Sequence, residues 1–243
     1  MKVIPVIDIL NGEVVHAVRG KRKEYQPLQS VLTNSTNPLE VACAFKEVGF
    51  TELYIADLDA IIDCSTNFEV FNRIVGKTGL SLMVDAGVTS IERAQKALSN
   101  GVSKLIIGTE TLQSKKFVEQ AANIFGSDRV VVSLDLKGDK ILVKLGFDGC
   151  SDPICLLRDF KQMGVSQIIV LDLTRVGSGE GVNTDFLERV IAEVGVDVYV
   201  GGGVRGIDDL LELRRLGVKG ALVATALHSG KISVEELRRE GLL

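Results

Sequence analysis

The chain has 243 residues, of which 46% are hydrophobic and 25% are charged, a composition typical of a folded globular protein. The formal net charge of −4 at pH 7 excludes a general electrostatic attraction to nucleic acid. No apolar run approaches the roughly 20 residues that span a bilayer, and a strand-like run begins at Lys2 with no signal-peptide pattern before it. We therefore expect a cytoplasmic protein without nucleic-acid or membrane partners.

Cysteine and histidine show no pattern typical of a metal or redox site. Four cysteines occur without any Cys-x-x-Cys spacing: Cys43, Cys64, Cys150 and Cys155. In a cytosolic chain of this length we expect them to be reduced thiols. The two histidines, His16 and His228, are too few for a histidine-rich centre, so no metal is expected. The sequence leaves the oligomeric state open.

Short apolar runs alternate with amphipathic segments at intervals of about 30 residues. The runs are apolar on both faces, as in buried parallel strands, and are Val3–Asp8, Leu53–Asp57, Leu80–Asp85, Lys104–Gly108, Arg129–Asp135, Gln167–Asp172, Val196–Gly201 and Lys219–Thr225. Helical patterns between them include Leu39–Val48, Ile91–Leu98, Pro153–Met163 and Ile207–Leu216. Eight such units predict an α/β protein of the (β/α)8 TIM barrel class. An open doubly wound sheet is the alternative.

An internal repeat favours the barrel over the open sheet. Residues 85–112 align without a gap on residues 201–228, and 6 of the 28 positions are identical, where chance gives roughly two. Both halves also open with a strand and a predicted hairpin. We therefore predict one barrel over residues 1–243, built from two homologous half-barrels of approximately 1–116 and 117–243.

Aspartates end five of the predicted strands, where the chemistry of such barrels is found: Asp8, Asp57, Asp85, Asp135 and Asp172. The first and fifth strands lie opposite each other in an eight-stranded ring, so Asp8 and Asp135 are expected to face each other across its mouth. Two opposed carboxylates can act as general base and general acid if their surroundings separate their pKa values. A structural role is the alternative for each aspartate taken singly. The other three aspartates are additional candidates.

Small residues end the seventh and eighth strands, the usual phosphate site of this fold. Gly202 and Gly203 precede a helix and expose backbone N–H groups, while Ala224 and Thr225 add small size and a hydroxyl. We predict that these four residues bind a phosphate, the alternative being packing glycines at a tight turn.

The repeat predicts a second phosphate site at the third and fourth strands, formed by Gly87, Gly108 and Thr109. Two such sites would clamp a ligand phosphorylated at both ends. The carboxylate of Asp85 argues against this site, because it repels a phosphate dianion unless a cation lies between them.

A charged segment, Arg19–Tyr25, follows the first hairpin. Its basic residues could close over a phosphate ligand as a mobile loop, but a solvated loop is the favoured interpretation. Arg19 is kept as an additional site candidate. His16, on the returning strand of the hairpin, could line the mouth, although an exposed or hydrogen-bonded histidine is the more common case.

The chain resembles the ProFAR isomerase family of histidine biosynthesis along nearly its whole length. The matching motifs are Pro5-Val6-Ile7-Asp8 with Asn11–Val15, Ala56–Ala60 with Asn67, Ser133-Leu134-Asp135 with Gly138 and Gly149, and Gly201–Val204. The resemblance implies a half-barrel duplication, two phosphate sites, and a cofactor-free Amadori rearrangement of an aminoaldose to an aminoketose. It assigns Asp8 as the general base and Asp135 as the second carboxylate, which would protonate the ring oxygen.

Two departures from the family pattern put this reaction in question. Val176 stands where the family has its strand-6 acid, and Leu171 replaces a threonine on the same strand. The third strand keeps one of three glycines and lacks the arginine that follows them. A valine cannot transfer a proton, so either Asp135 or Asp85 supplies the acid, or the reaction is another one. Three hypotheses follow: an isomerase of a phosphorylated aminosugar-type metabolite, a related barrel with a reassigned reaction, and a non-catalytic phosphometabolite-binding protein.

Overall fold

The structure, a computed structural model, describes residues 1–63, 65 and 67–243. Within these residues one sheet contains eleven strands: β1 (Lys2–Leu10), β2 (Glu13–His16), β3 (Gln26–Pro27), β4 (Glu52–Asp57), β5 (Ser81–Asp85), β6 (Val102–Gly108), β7 (Val130–Lys137), β8 (Lys140–Ile141), β9 (Gln167–Asp172), β10 (Asp197–Gly201) and β11 (Gly220–Val223). Eight of them, β1, β4 to β7 and β9 to β11, are parallel to their barrel neighbours, and β1 pairs with β11 to close the ring. The predicted (β/α)8 barrel is confirmed. Its division into two half-barrels stays a prediction.

Helices follow the barrel strands and surround the sheet: α1 (Pro38–Glu47), α2 (Leu58–Asp63), α3 (Phe68–Thr78), α4 (Ile91–Ser99), α5 (Lys115–Phe125), α6 (Pro153–Gln162), α7 (Thr184–Val194), α8 (Ile207–Leu216), α9 (Thr225–His228) and α10 (Val234–Arg239). A single 3-10 turn covers Arg22–Glu24 within the described residues. The sequence marks where the longer helices begin, since Asn37 accepts a hydrogen bond from the Leu39 N–H at the start of α1. Among the described residues, no helix is long and apolar enough to cross a membrane.

Both predicted hairpins are present. β2 pairs antiparallel with the end of β1, and β8 pairs antiparallel with the end of β7. Each hairpin therefore extends a barrel strand beyond its carboxyl end, at positions that flank Asp8 and Asp135. These extensions form part of the wall around the mouth of the barrel.

Two apolar layers hold the barrel together. The larger one lies between the sheet and the helices. The smaller one fills the inside of the barrel with one side chain from each strand: Ile4, Tyr54, Met83, Ile106, Val131, Ile169, Tyr199 and Leu222. Because successive strand residues point to opposite faces, the inward residues two positions later lie one layer nearer the carboxyl ends. This filled interior forms the floor of the site described below.

The prediction of reduced thiols is wrong for two of the four cysteines. Cys150 and Cys155 form a disulfide, with their Cα atoms 6.1 Å apart. The turn that starts α6 at Asp152 folds the chain back between them, so five positions of sequence span only this short distance. Cys43 is a free, half-buried thiol, and Cys64 lies outside the described residues.

Candidate active site

Three aspartates line one cavity at the carboxyl ends of the barrel strands. Asp8 comes from β1, Asp85 from β5 and Asp135 from β7, and they are called the carboxylate cluster below. The predicted pair, Asp8 and Asp135, is thus brought to one cavity, and the additional candidate Asp85 joins it. Asp85 is 8% exposed and Asp135 is 4% exposed, so both groups are largely removed from water.

Gly108 allows Asp85 and Asp135 to approach each other. A Cβ atom at position 108 would lie 2.8 Å from Oδ2 of Asp135 and 3.1 Å from Oδ2 of Asp85. Both oxygens therefore converge on the space that any other residue would fill. In this arrangement, called the carboxylate pair, the charge of Asp135 raises the pKa of Asp85.

Hydrogen bonds distinguish the two members of the pair. Asp135 accepts one from the Ser133 hydroxyl at 2.7 Å and one from the backbone N–H of Glu110 at 3.0 Å. Asp85 accepts one, from the backbone N–H of Gly87 at 3.1 Å. Because donors favour the charged form of a carboxyl group, Asp135 is the better stabilised anion.

Burial shifts the acidity of the whole cluster toward neutral pH. It raises the pKa of Asp8 to about 7, with the positive charge of Arg22 opposing the shift. Burial and then repulsion from Asp135 raise the pKa of Asp85 to about 7. Burial also raises the pKa of Asp135, to about 6. The hydrogen bonds from Glu110 and Ser133 stabilise its anion, so this pKa stays below those of Asp8 and Asp85. Near neutral pH all three groups can accept or donate a proton.

Tyr54 lies beneath the cluster, on the inner face of β4, and lines the same cavity. Burial raises the pKa of its phenol well above the ordinary value, followed by the charges of Asp85, Asp135 and Asp8. The phenol therefore stays protonated and offers a hydrogen-bond donor to the cavity. The sequence analysis missed this residue, since one tyrosine within an apolar strand is typical of a core position.

A partly buried ion pair crosses the mouth of the cavity. Arg22, from the 3-10 turn, donates a hydrogen bond to Oε2 of Glu110 at 2.7 Å, and both residues line the cavity. The interpretation of segment Arg19–Tyr25 as a solvated loop is wrong for Arg22, which lines the cavity. It fits Lys21, which pairs with Glu24 and is not part of the cavity lining. Glu110 escaped the sequence analysis because its partner lies 88 positions away.

Arg19 and Val176 lie next to each other on the rim. The backbone N–H of Arg19 donates to the Val176 carbonyl at 2.8 Å, and the Arg19 side chain pairs with exposed Glu180 at 2.6 Å. Val176 lines the cavity with an apolar side chain, but Arg19 is not part of the lining. The position of the family's strand-6 acid therefore faces the site without a titratable group.

The predicted phosphate residues of β10 and β11 lie together in the cavity wall: Gly202, Gly203, Ala224 and Thr225. Gly202 and Gly203, the glycine cradle, have φ angles of 89° and 93°, which favour glycine. A Cβ atom at position 203 would lie 2.2 Å from the Gly181 carbonyl oxygen, so the wall closes here against another backbone segment. The chain thus presents backbone rather than side chains at this side of the cavity.

Two polar side chains accompany the cradle. Thr225 Oγ1 lies 3.0 Å from Nε2 of His16, so His16 reaches the phosphate side of the site. Lys231, which follows α9, lines the cavity, is exposed, and forms no ion pair with the described residues. An ammonium group beside a glycine-rich wall is a suitable partner for an anion. The sequence analysis did not identify Lys231.

The residues of the predicted second phosphate site have other contacts. Gly87, Gly108 and Thr109 are not among the residues that line the cavity. The Gly87 N–H donates to Asp85, and the buried Thr109 hydroxyl accepts from the Asp135 N–H at 3.0 Å. The space beside Gly108 is taken by two carboxylates. A second phosphate at this place stays an untested prediction.

The two remaining strand-end aspartates organise loops. Asp57 is fully buried and accepts hydrogen bonds from the backbone N–H groups of Ala60 and Asn67, both at 3.1 Å. Asp172 accepts from the Thr174 hydroxyl at 2.6 Å and from Arg175 Nε at 3.2 Å. These contacts match the structural alternative stated for a single strand-end aspartate.

The chain is similar to histidine-biosynthesis proteins over almost its full length. A family model described as "Histidine biosynthesis protein" matches residues 2–233. An uncharacterized protein of Methanocaldococcus jannaschii is 37% identical over 239 residues, which cover 98% of this chain and 97% of that protein.

Two further relatives share one name, 1-(5-phosphoribosyl)-5-((5-phosphoribosylamino)methylideneamino)imidazole-4-carboxamide isomerase. One, from Thermus thermophilus, is 32% identical over 237 residues, covering 97% of this chain and 98% of its own. The other, from Streptococcus sanguinis, is 31% identical over 241 residues, covering 98% of this chain and 97% of its own.

Proposed function

The chain belongs to the histidine-biosynthesis protein family, and from this premise we propose that it isomerises a phosphorylated aminoaldose to the aminoketose. One observation carries the proposal: three carboxyl groups with pKa values of about 6 to about 7 line one cavity that also contains a glycine cradle. The rearrangement needs one acid, one base and a phosphate anchor, and no redox step. The names of the relatives support an isomerase, although those names describe the relatives' own substrate.

The first step is opening of the sugar ring. A proton from the carboxylate pair goes to the ring oxygen, the bond from this oxygen to C1 breaks, and the amine lone pair forms the iminium at C1. Asp85 carries this proton, because Asp135 is held as the anion by two hydrogen bonds and its charge raises the pKa of Asp85. The carboxylate pair thereby supplies the proton that the side chain of Val176 cannot donate.

The second step moves a proton between carbon atoms. Asp8 takes the proton from C2, and the electron pair of that bond forms the enaminol with the iminium. The enaminol then gains a proton at C1 and loses the hydroxyl proton at C2, which produces the ketone. Protons taken and given balance, so the reaction is an isomerisation. Asp8 makes no side-chain hydrogen bond to the described residues, which leaves it available as the base.

The experiment follows the C2 proton. Purified protein is incubated in deuterated water with N-substituted phosphoribosylamines, and NMR records ketose formation and deuterium incorporation. We expect turnover by the wild type and at least about a hundredfold loss in Asp8→Asn, the size typical of a removed general base. Glu119→Gln, on the exposed side of α5, is the matched control. Absence of turnover, or full activity of Asp8→Asn, contradicts the proposal.

The apolar side chain of Val176 in the cavity lining favours a second candidate, a reassigned reaction on another phosphorylated metabolite. A strain that lacks the histidine-pathway isomerase distinguishes the two. Rescue by Val176→Asp without rescue by the wild type supports reassignment. Rescue by the wild type shows that the carboxylate pair suffices for the histidine reaction.

A further inference from the structure

The cavity has opposite electrostatic character on its two sides. In ring order, β5 lies four strands from β10, and β6 lies four strands from β11, so each faces the other across the barrel. The glycine cradle and Thr225 follow β10 and β11. On the facing side, Asp85 ends β5, Glu110 follows β6, and Asp135 lies near the carboxyl end of β7. One ligand that spans the mouth would therefore meet backbone N–H groups at one end and carboxylates at the other.

The carboxylate side retains unused hydrogen-bonding capacity directed at the cavity. Asp85 is 8% exposed and lines the cavity, yet its Oδ2 accepts no hydrogen bond from the described residues. Asp8, which lines the same cavity, makes no side-chain hydrogen bond to them. Because Oδ2 of Asp85 is open to the cavity, it can accept a hydrogen bond from a donor on the ligand.

The chain itself places a cation on this side. Arg22 donates to Glu110 at 2.7 Å, and its positive charge lowers the pKa of Asp8. The carboxylates of Glu110 and Asp135 together carry more negative charge than the one guanidinium of Arg22 balances, so an excess of negative charge remains available to a ligand. Two other arginines line the cavity within the described residues, and both already form ion pairs, Arg175 with Asp172 and Arg205 with Asp209.

We propose that the ligand carries a phosphate at one end and a protonated amine at the other, instead of a phosphate at each end. The phosphate lies against the glycine cradle and Lys231, and the ammonium group donates to Oδ2 of Asp85 and to the carboxylate of Glu110, near the negative charge of Asp135. A second phosphate on that side would face several carboxylates at close range. The inference rests on the phosphate site of the proposed function and narrows its substrate to monophosphorylated amines.

Three linear probes with the same carbon chain test this charge preference. They are aminopentyl phosphate, hydroxypentyl phosphate and pentanediol bisphosphate, measured by calorimetric titration of the full chain. We expect the amine to bind about tenfold more tightly than the alcohol, a ratio that one desolvated ion pair readily supplies. The bisphosphate should bind most weakly. Equal or tighter binding of the bisphosphate overturns the inference, as does equal affinity for the amine and the alcohol.

Variants locate the effect. Asp135→Asn and the partly exposed Glu110→Gln each remove a negative charge, so each should reduce the advantage of the amine to about threefold or less, with little change for the alcohol. Glu119→Gln should keep the full advantage. An advantage unchanged in both site variants overturns the inference, as does failure of all three probes to bind. The deuterium experiment decides the isomerase proposal separately, so loss of one leaves the other measurable.

Discussion

At the scale of single residues, the site depends on a position without a side chain. Gly108 leaves room for Asp85 and Asp135, and its backbone conformation is one that alanine can adopt, since its φ is not in the left-handed region. A methyl group there would push the carboxylate oxygens apart without disturbing the strand. A substitution at Gly108 should therefore change the geometry of the carboxylate pair with little effect on the stability of the fold.

We expect Gly108→Ala to lower kcat at least about tenfold while the free energy of unfolding falls by no more than about 1 kcal/mol, since only side-chain ends must move. Gly76→Ala is the matched control, because a Cβ at this helical position meets nothing within 4 Å. Steady-state kinetics and urea unfolding give the two readouts. Unchanged kcat would show that the carboxylate pair does not need its close approach.

The two acid–base groups predict a narrow pH profile. Asp8 must be ionised as the base and has a pKa of about 7, so kcat/KM should fall below that pH. The pair must hold its proton, and the pKa of Asp85 is also about 7, so kcat/KM should fall above it. Asp135→Asn removes the negative charge that raises the pKa of Asp85, so the alkaline limb should move to lower pH. An unmoved alkaline limb would assign the acid to another group.

At the scale of elements, local sequence predicts the strands and their ends well. The predicted run Gln167–Asp172 coincides with β9, and both hairpins follow the strands where turn residues place them. Local sequence does not predict contacts made across the ring. Arg22 and Glu110 meet only because the barrel closes, and the disulfide forms because the start of α6 folds the chain back. The residues at and just after the strand ends could therefore be predicted, whereas Arg22, Glu110 and Lys231 could not, because their place in the cavity depends on the closed barrel.

Asp57 predicts a purely structural phenotype for the connection between β4 and α3. Its buried carboxylate accepts hydrogen bonds from the backbone N–H groups of Ala60 and Asn67. Asp57→Ala leaves both donors without a partner, which should lower the free energy of unfolding by roughly 3 kcal/mol. Affinity for aminopentyl phosphate should stay within about twofold of the wild type at a temperature where the variant is folded. A large loss of affinity with full stability would instead assign Asp57 to the site.

At the scale of the whole molecule, membership of the histidine-biosynthesis family agrees with the resemblance deduced from the strand-end motifs. The barrel could be predicted from the alternation of strands and helices, because every strand obeys the same burial rule. The reaction carried out at the site could not be predicted in the same way. Val176, Glu110 and Arg22 change the charge of the site without changing the sequence pattern that specifies the fold.

The buried carboxylate cluster also makes stability depend on pH. The folded pKa values of Asp8 and Asp85 are about 7, against 3.8 when unfolded, so between these values the folded state binds more protons than the unfolded state. Stability from these groups is therefore present at low pH and is lost as pH rises through about 7. His228 acts in the opposite direction, because burial lowers its pKa from 6.5 to about 4, and its contribution is lost as pH falls through that range. Asp85→Asn removes one acidic group, so it should raise the free energy of unfolding at about pH 8 by roughly 2 kcal/mol and change it little at about pH 4, close to the unfolded pKa. Urea unfolding at both pH values measures the difference, with Glu119→Gln as the control that shows none. Equal effects at the two pH values would mean that the pKa of Asp85 is the same in the folded protein as in water. Asp85 would then be ionised near neutral pH and could not be the acid assigned to the carboxylate pair.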